Sequence, residues 1–192
     1  MKSKEVYDKI VYYYDLFPDS LNLIELIEED ELSATSKITK WKSWGPSDNK
    51  VVYGKQKVIN SSNNEFNDSK FDSFIIKTIK NAIIECSEDY SKRYSIDIGK
   101  LTPLSISKYF EGQSMGPHVD SYVDDIKQVL SIVLYLNDDY TGGELYFKNQ
   151  DIKIKPEAGS LIAFPSTDPY FHESLTVTSG IKYISPGFWI KF

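Results

Sequence analysis

The sequence predicts an α+β protein, mainly β, with a sandwich or jelly-roll core braced by N-terminal helices. Three observations carry that expectation. Apolar residues recur at helical spacing through much of the first half, then change to extended patterns from Ile96. About seven or eight short apolar or alternating runs follow, punctuated by Gly, Pro and polar turn residues, as in a sandwich or jelly roll. The chain has 192 residues, 41% of them hydrophobic, which suits one domain with a sizeable core. The expected organisation is one domain over residues 1–192, with helical and loop support in 1–95 and the core in roughly 96–192.

Residues 5–17 place Val6, Ile10, Val11 and Tyr14 on one helical face, so a first helix is expected there. Pro18 interrupts it, and Asp19 or Ser20 can cap a second helix running through Leu21, Leu23, Ile24, Leu26 and Ile27. Residues 41–50, with Gly45-Pro46, read as loop, 51–59 as a strand and the polar stretch 60–69 as a second loop. The longest helical pattern covers 71–94, with Phe71, Phe74, Ile75, Ile79, Ile83 and Cys86 on one face. Beyond it, 104–110 alternates in part, and 129–136 is a continuous apolar run of the kind covered on both faces. Gly142-Gly143 permits positive φ in a turn before a strand at 144–147. Further strands are expected at 152–155, 160–164, 174–178, 181–184 and 188–192.

Composition narrows the functional classes. A net charge of −6 and a pI of about 5.0 argue against strong nucleic-acid binding, which rests on phosphate neutralisation by Lys and Arg. Fourteen Tyr and ten Phe are read first as core packing. The lone cysteine, Cys86, cannot form an internal disulfide and fits a reducing compartment. No signal-like apolar segment opens the sequence and no run is long enough to span a membrane, so a soluble cytoplasmic protein is expected.

The chain has two histidines, His118 and His172. His118 stands two residues before Asp120, a spacing that in a strand points both side chains to one side. Two imidazoles and one carboxylate on one face of an iron leave open positions for a chelating cosubstrate and dioxygen. An H-x-D pair alone arises often by chance. The second histidine, in a later expected strand, raises its weight.

The second half resembles the catalytic domain of prolyl 4-hydroxylases, a family of Fe(II)- and 2-oxoglutarate-dependent dioxygenases. The resemblance is carried by Tyr109-Phe-Glu-Gly-Gln-Ser-Met-Gly-Pro-His118-Val-Asp120, Leu134-Tyr-Leu-Asn, Gly142-Gly-Glu-Leu, Pro156-Glu-Ala-Gly-Ser-Leu-Ile-Ala-Phe-Pro, His172-Glu-Ser and Val177-Thr-Ser-Gly-Ile-Lys182-Tyr. It implies a double-stranded β-helix fold, with His118, Asp120 and His172 as iron ligands. Lys182, ten residues beyond His172, matches the basic residue that pairs with the distal carboxylate of 2-oxoglutarate. Tyr109 matches a tyrosine whose hydroxyl touches the cosubstrate, and Ser131 stands where relatives often carry Thr near the distal carboxylate.

The implied reaction couples oxidative decarboxylation of 2-oxoglutarate to succinate with hydroxylation of a substrate, using dioxygen, with ascorbate as an accessory. No catalytic acid or base beyond the metal site is expected. A peptide or protein containing proline is the substrate the family suggests; a free amino acid, a small molecule or nucleic acid stay open. Loops at 41–50, 60–69 and 121–127 are candidates to cover it. Nucleic-acid demethylases of the same superfamily carry an arginine six residues past their basic residue, where this chain has Phe188. A non-catalytic metal-binding jelly roll would leave Lys182 and Tyr109 unexplained. Residues 1–95 carry no recognised motif.

Overall fold

A computed structural model describes residues 1–17, 23–28, 41–43, 55–59, 70–121 and 127–191. The chain opens with β1 (Lys2–Tyr7) and β2 (Ile10–Tyr14), an antiparallel hairpin. A short helix, α1, covers 23–28. Then come β3 (Lys42–Ser43), β4 (Lys55–Ile59) and the long helix α2 (Lys70–Tyr94). The second half supplies β5 (Lys100–Leu101), β6 (Leu104–Tyr109), β7 (Met115–His118), β8 (Lys127–Tyr135), β9 (Thr141–Gly142) and β10 (Leu145–Phe147). It ends with β11 (Ile152–Ile154), β12 (Ser160–Pro165), β13 (His172–Ser174), β14 (Val177–Ser179) and β15 (Lys182–Lys191).

The architecture is mainly β. A large sheet has the order β1-β2-β12-β8-β15-β6-β4-β3, with β5 on the end of β15. A smaller sheet runs β11-β10-β13-β7, and β14 pairs with β9. Strand alternation splits the apolar residues of the large sheet into two cores. Val11, Tyr13, Leu130, Ile132, Leu134, Leu161 and Ala163 face α2, where Ile79, Ile83, Cys86 and Tyr90 meet them. Ile10, Tyr12, Tyr135, Ile162, Phe164 and Ile184 face the other way, onto Leu145 and Phe147 of the small sheet. The central strands β8 and β12 are covered on both sides, which is why they read as unbroken apolar runs.

The expected helix at 5–17 is corrected: this segment is the β1–β2 hairpin, and β2 pairs with β12 in the body of the large sheet. Ile10-Val-Tyr-Tyr-Tyr is β-branched and aromatic throughout, a composition that favours strands, and four of its five residues are buried. Lys9, at φ 55°, makes the tight turn. The N-terminal third therefore adds strands to the sheet rather than helical bracing alone. Helix 71–94 stands as expected, the second expected helix is described over 23–28, and the two final strands are one, β15. Residues 44–54 and 60–69, expected to hold loops and part of a strand, lie outside the described residues, as do 122–126 of the expected covering loop. Among the described residues no helix is long and apolar enough to cross a membrane.

Candidate metal and cosubstrate site

Between the two sheets lies a cavity of about 150 Å³, enough for one small molecule. Its wall includes His118, Asp120 and His172 together with Tyr109, Tyr135 and Lys182. His118 closes β7 and His172 opens β13, and the two are direct cross-strand partners with ring centroids 4.4 Å apart. Asp120 lies just past the end of β7, where its N–H donates to the Ser166 carbonyl at 3.0 Å. One ligand atom from each of the three side chains lies within 4.8 Å of the other two.

The donor set fits ferrous iron. His118 Nδ1 donates to the Gly116 carbonyl at 2.8 Å and His172 Nδ1 to the Tyr170 carbonyl at 3.0 Å. A carbonyl only accepts, so each ring carries its proton on Nδ1 and presents the Nε2 lone pair to the site. The two Nε2 atoms stand 3.2 and 3.6 Å from Asp120 carboxylate oxygens. Burial lowers the pKa of His172, favouring the neutral imidazole a metal requires. Burial alone would raise that of Asp120, but the Ser131 hydroxyl and, whenever they are protonated at Nε2, the two imidazoles hold it below the ordinary carboxylate range. Phe164 packs its ring 4.6 Å from that of His172, fixing the deeper histidine from behind.

Lys182 is the first residue of β15 and is 1% exposed. Its cross-strand partner is Tyr109, and its ammonium lies 5.4 Å from the ring centres of both Tyr109 and Tyr135. Nζ donates to the Gly143 carbonyl and to Ser174 Oγ, each at 2.7 Å. Burial, with a smaller contribution from Lys155, pushes its pKa down to about 7. Gly143, at φ 66°, has its Cα face against Tyr140 and the Lys182 stem, so a Cβ there would stand 3.0 Å from Tyr140. The glycine pair is thus a turn device that also brings a carbonyl to the lysine.

Ser131, expected near the distal carboxylate of the cosubstrate, has its hydroxyl in two bonds, donating to Asp120 Oδ2 at 2.5 Å and sharing a 2.7 Å bond with Ser166 Oγ. On β8 it is Tyr135, two alternations further, that reaches the Lys182 end. Tyr135 and Ser174 lie within the motifs quoted from the sequence, which gave them no site role. Both could have been found by stepping in twos along a strand, from Ser131 and from His172.

The profile of the 2OG-Fe(II) oxygenase superfamily matches residues 104–191, the stretch that contains the triad and Lys182. The match covers a little under half of the chain, and over that stretch the chain is similar to the superfamily. A protein of Acanthamoeba polyphaga mimivirus provisionally named a prolyl 4-hydroxylase is 25% identical over 71% of this chain and 68% of its own. A PKHD-type hydroxylase of Acaryochloris marina is 41% identical over 46% of this chain and 41% of its own, so the chain matches well under half of that relative's length. The viral collagen prolyl hydroxylase of Paramecium bursaria Chlorella virus-1, solved with 2-oxoglutarate, shares the fold. It superposes with a TM-score of 0.70 at 19% identity, over 96% of this chain and 97% of that one.

Proposed function

We propose that the protein is an Fe(II)- and 2-oxoglutarate-dependent dioxygenase that hydroxylates prolyl residues of a peptide or protein, on a double-stranded β-helix formed by its two facing sheets. The observation that carries this reading is one cavity holding a two-histidine, one-carboxylate face and a buried lysine. His118, Asp120 and His172 would hold the iron, and Lys182 the distal carboxylate of 2-oxoglutarate. Bound there, the iron and keto acid would supply dioxygen activation, with 2-oxoglutarate going to succinate and carbon dioxide as one oxygen enters a C–H bond.

The chain's own part is placement. The backbone carbonyls of Gly116 and Tyr170 orient the imidazoles, and Ser131 orients Asp120. Gly143 and Ser174 aim the lysine, and the aromatic walls exclude water, strengthening the lysine–carboxylate pair. The substrate class draws on the prolyl hydroxylases among the relatives and on an acidic chain poorly suited to polyanions. Ascorbate as an accessory reductant and a cytoplasmic location belong to the same reading.

The test is turnover with Fe(II), 2-oxoglutarate, dioxygen and a proline-rich peptide library. Succinate and peptides heavier by one oxygen on proline are expected. Succinate without peptide oxidation, alongside oxidation of a free amino acid or methylated base, would overturn the substrate and keep the reaction class.

A further inference from the structure

Seven serines are buried among the described residues. Six of them, Ser87, Ser131, Ser160, Ser166, Ser174 and Ser185, each engage their hydroxyl in a hydrogen bond. Ser107, 1% exposed on β6, has a hydroxyl without any partner. Burying an unpaired hydroxyl costs free energy that an alanine would not incur. Ser107 lines the cavity between the sheets. It shares a strand face with Tyr109, two residues on, whereas Ile106 belongs to the core against α2.

We propose that Ser107 is a second donor to the distal carboxylate of 2-oxoglutarate, completing the grip that Lys182 begins. The inference rests on the oxygenase reading above. Its geometry comes from the ladder between β6 and β15, where Tyr109 stands opposite Lys182 and Ser107 opposite Ile184. Ser107 and Lys182 are therefore diagonal neighbours on adjacent strands, roughly 7–8 Å apart at the backbone, a gap a carboxylate can bridge. Lys182 has already committed two of its N–H groups to Gly143 and Ser174, which leaves one for the ligand. A carboxylate has two oxygens to satisfy, and Ser107 supplies a donor for the other. Depth also selects this ligand over the substrate. Ser107 is as buried as Tyr109 and Lys182, whereas Ser105, Pro186 and Phe188, in the same wall, are half-buried.

Calorimetric titration of the Mn(II)-loaded protein tests the proposal. S107A should bind 2-oxoglutarate about tenfold more weakly than the wild type, the loss of one hydrogen bond to a charged group. Its Mn(II) affinity and its affinity for 2-oxobutyrate (which chelates but lacks the distal carboxylate) should be unchanged, and its thermal midpoint without 2-oxoglutarate should be equal to the wild type's or higher. S107T, which keeps the hydroxyl, should bind 2-oxoglutarate more tightly than S107A. Wild-type affinity of S107A for 2-oxoglutarate would overturn the inference. So would equal weakening of both keto acids, or a defect confined to the KM of the peptide. Failure of the wild-type protein to bind 2-oxoglutarate would instead strike the oxygenase reading, so the two failures are distinguishable.

Discussion

Ser131 bonds the carboxylate of Asp120, whereas Lys182 lines the cavity itself, so their substitutions should separate cleanly. Ser131 bonds Asp120, so S131A frees the carboxylate to rotate away from the two Nε2 atoms. Its affinity for Fe(II) or Mn(II) should fall about 10- to 100-fold, the cost of losing a partner that orients a ligand. The metal-loaded variant should bind 2-oxoglutarate as the wild type does, and electron paramagnetic resonance of Mn(II) with calorimetry would resolve both. Lys182 gives a pH signature. Its pKa is about 7 in the folded protein, against the ordinary 10.5 when unfolded, so between these values the unfolded chain binds a proton that the folded chain does not. Stability from this group should therefore rise with pH across that window, and the wild type should gain more than K182M. A bound carboxylate favours the charged amine, so 2-oxoglutarate should bring up to one proton with it near pH 8 and bind more weakly as pH rises further. Calorimetry in buffers of different ionisation enthalpy would show the uptake. No proton uptake would mean the distal carboxylate sits elsewhere.

At the scale of elements, β15 organises the site by bonding to β8 along one edge and to β6 along the other. On the reverse face of that ladder, Lys108 pairs its ammonium with both carboxylate oxygens of Glu28 on α1, at 2.9 and 3.0 Å, over the Trp41 ring. Tyr183 donates to the same carboxylate at 2.9 Å. This cluster fastens α1 behind the strands that carry Tyr109 and Lys182. E28Q should lower stability by about 2 kcal/mol, read by urea unfolding, because its bonds to the buried ammonium are no longer charge-assisted on both sides. Much of this framework was legible beforehand. Helix α2 and strands β8 and β12 showed through their periodicity, and His118, Asp120 and His172 through residue type and spacing. The β1–β2 hairpin was not, because Val6, Ile10, Val11 and Tyr14 satisfy a helical spacing as well as they suit strands. Only pairing with β12, far along the chain, decides between them. The bond from Ser131 to Asp120 was not legible for a related reason: a motif fixes which face a residue occupies but not which neighbour its hydroxyl selects.

For the whole molecule, His118, Asp120 and His172 sit on β7, the segment after it and β13, so an ion held by them would pin two strands of the small sheet to the segment that bonds Ser166 beyond β12. Metal at about 100 times its Kd should stabilise the fold by about 2.7 kcal/mol. The thermal midpoint should rise accordingly, fall again with a chelator, and stay fixed in H172A. A shift that persisted in H172A would place the ion elsewhere.

The pairing of β2 with β12 also shapes how the chain reaches its fold. A ribosome releases Ile10-Val-Tyr-Tyr-Tyr long before the strand that will sit beside it, and β12 must also find β8. Loop closure over that separation is slow, and until it happens an apolar, aromatic, pairing-ready segment is free to find other chains. Lys2, Lys4 and Lys9, with Glu5 and Asp8, put charged side chains on the outer strand and turn of the same hairpin, which discourages edge-to-edge pairing. The residues that complete the sheet are thus also the nascent chain's chief liability to aggregation, and yield of folded protein during synthesis should depend on those lysines more than its final stability does.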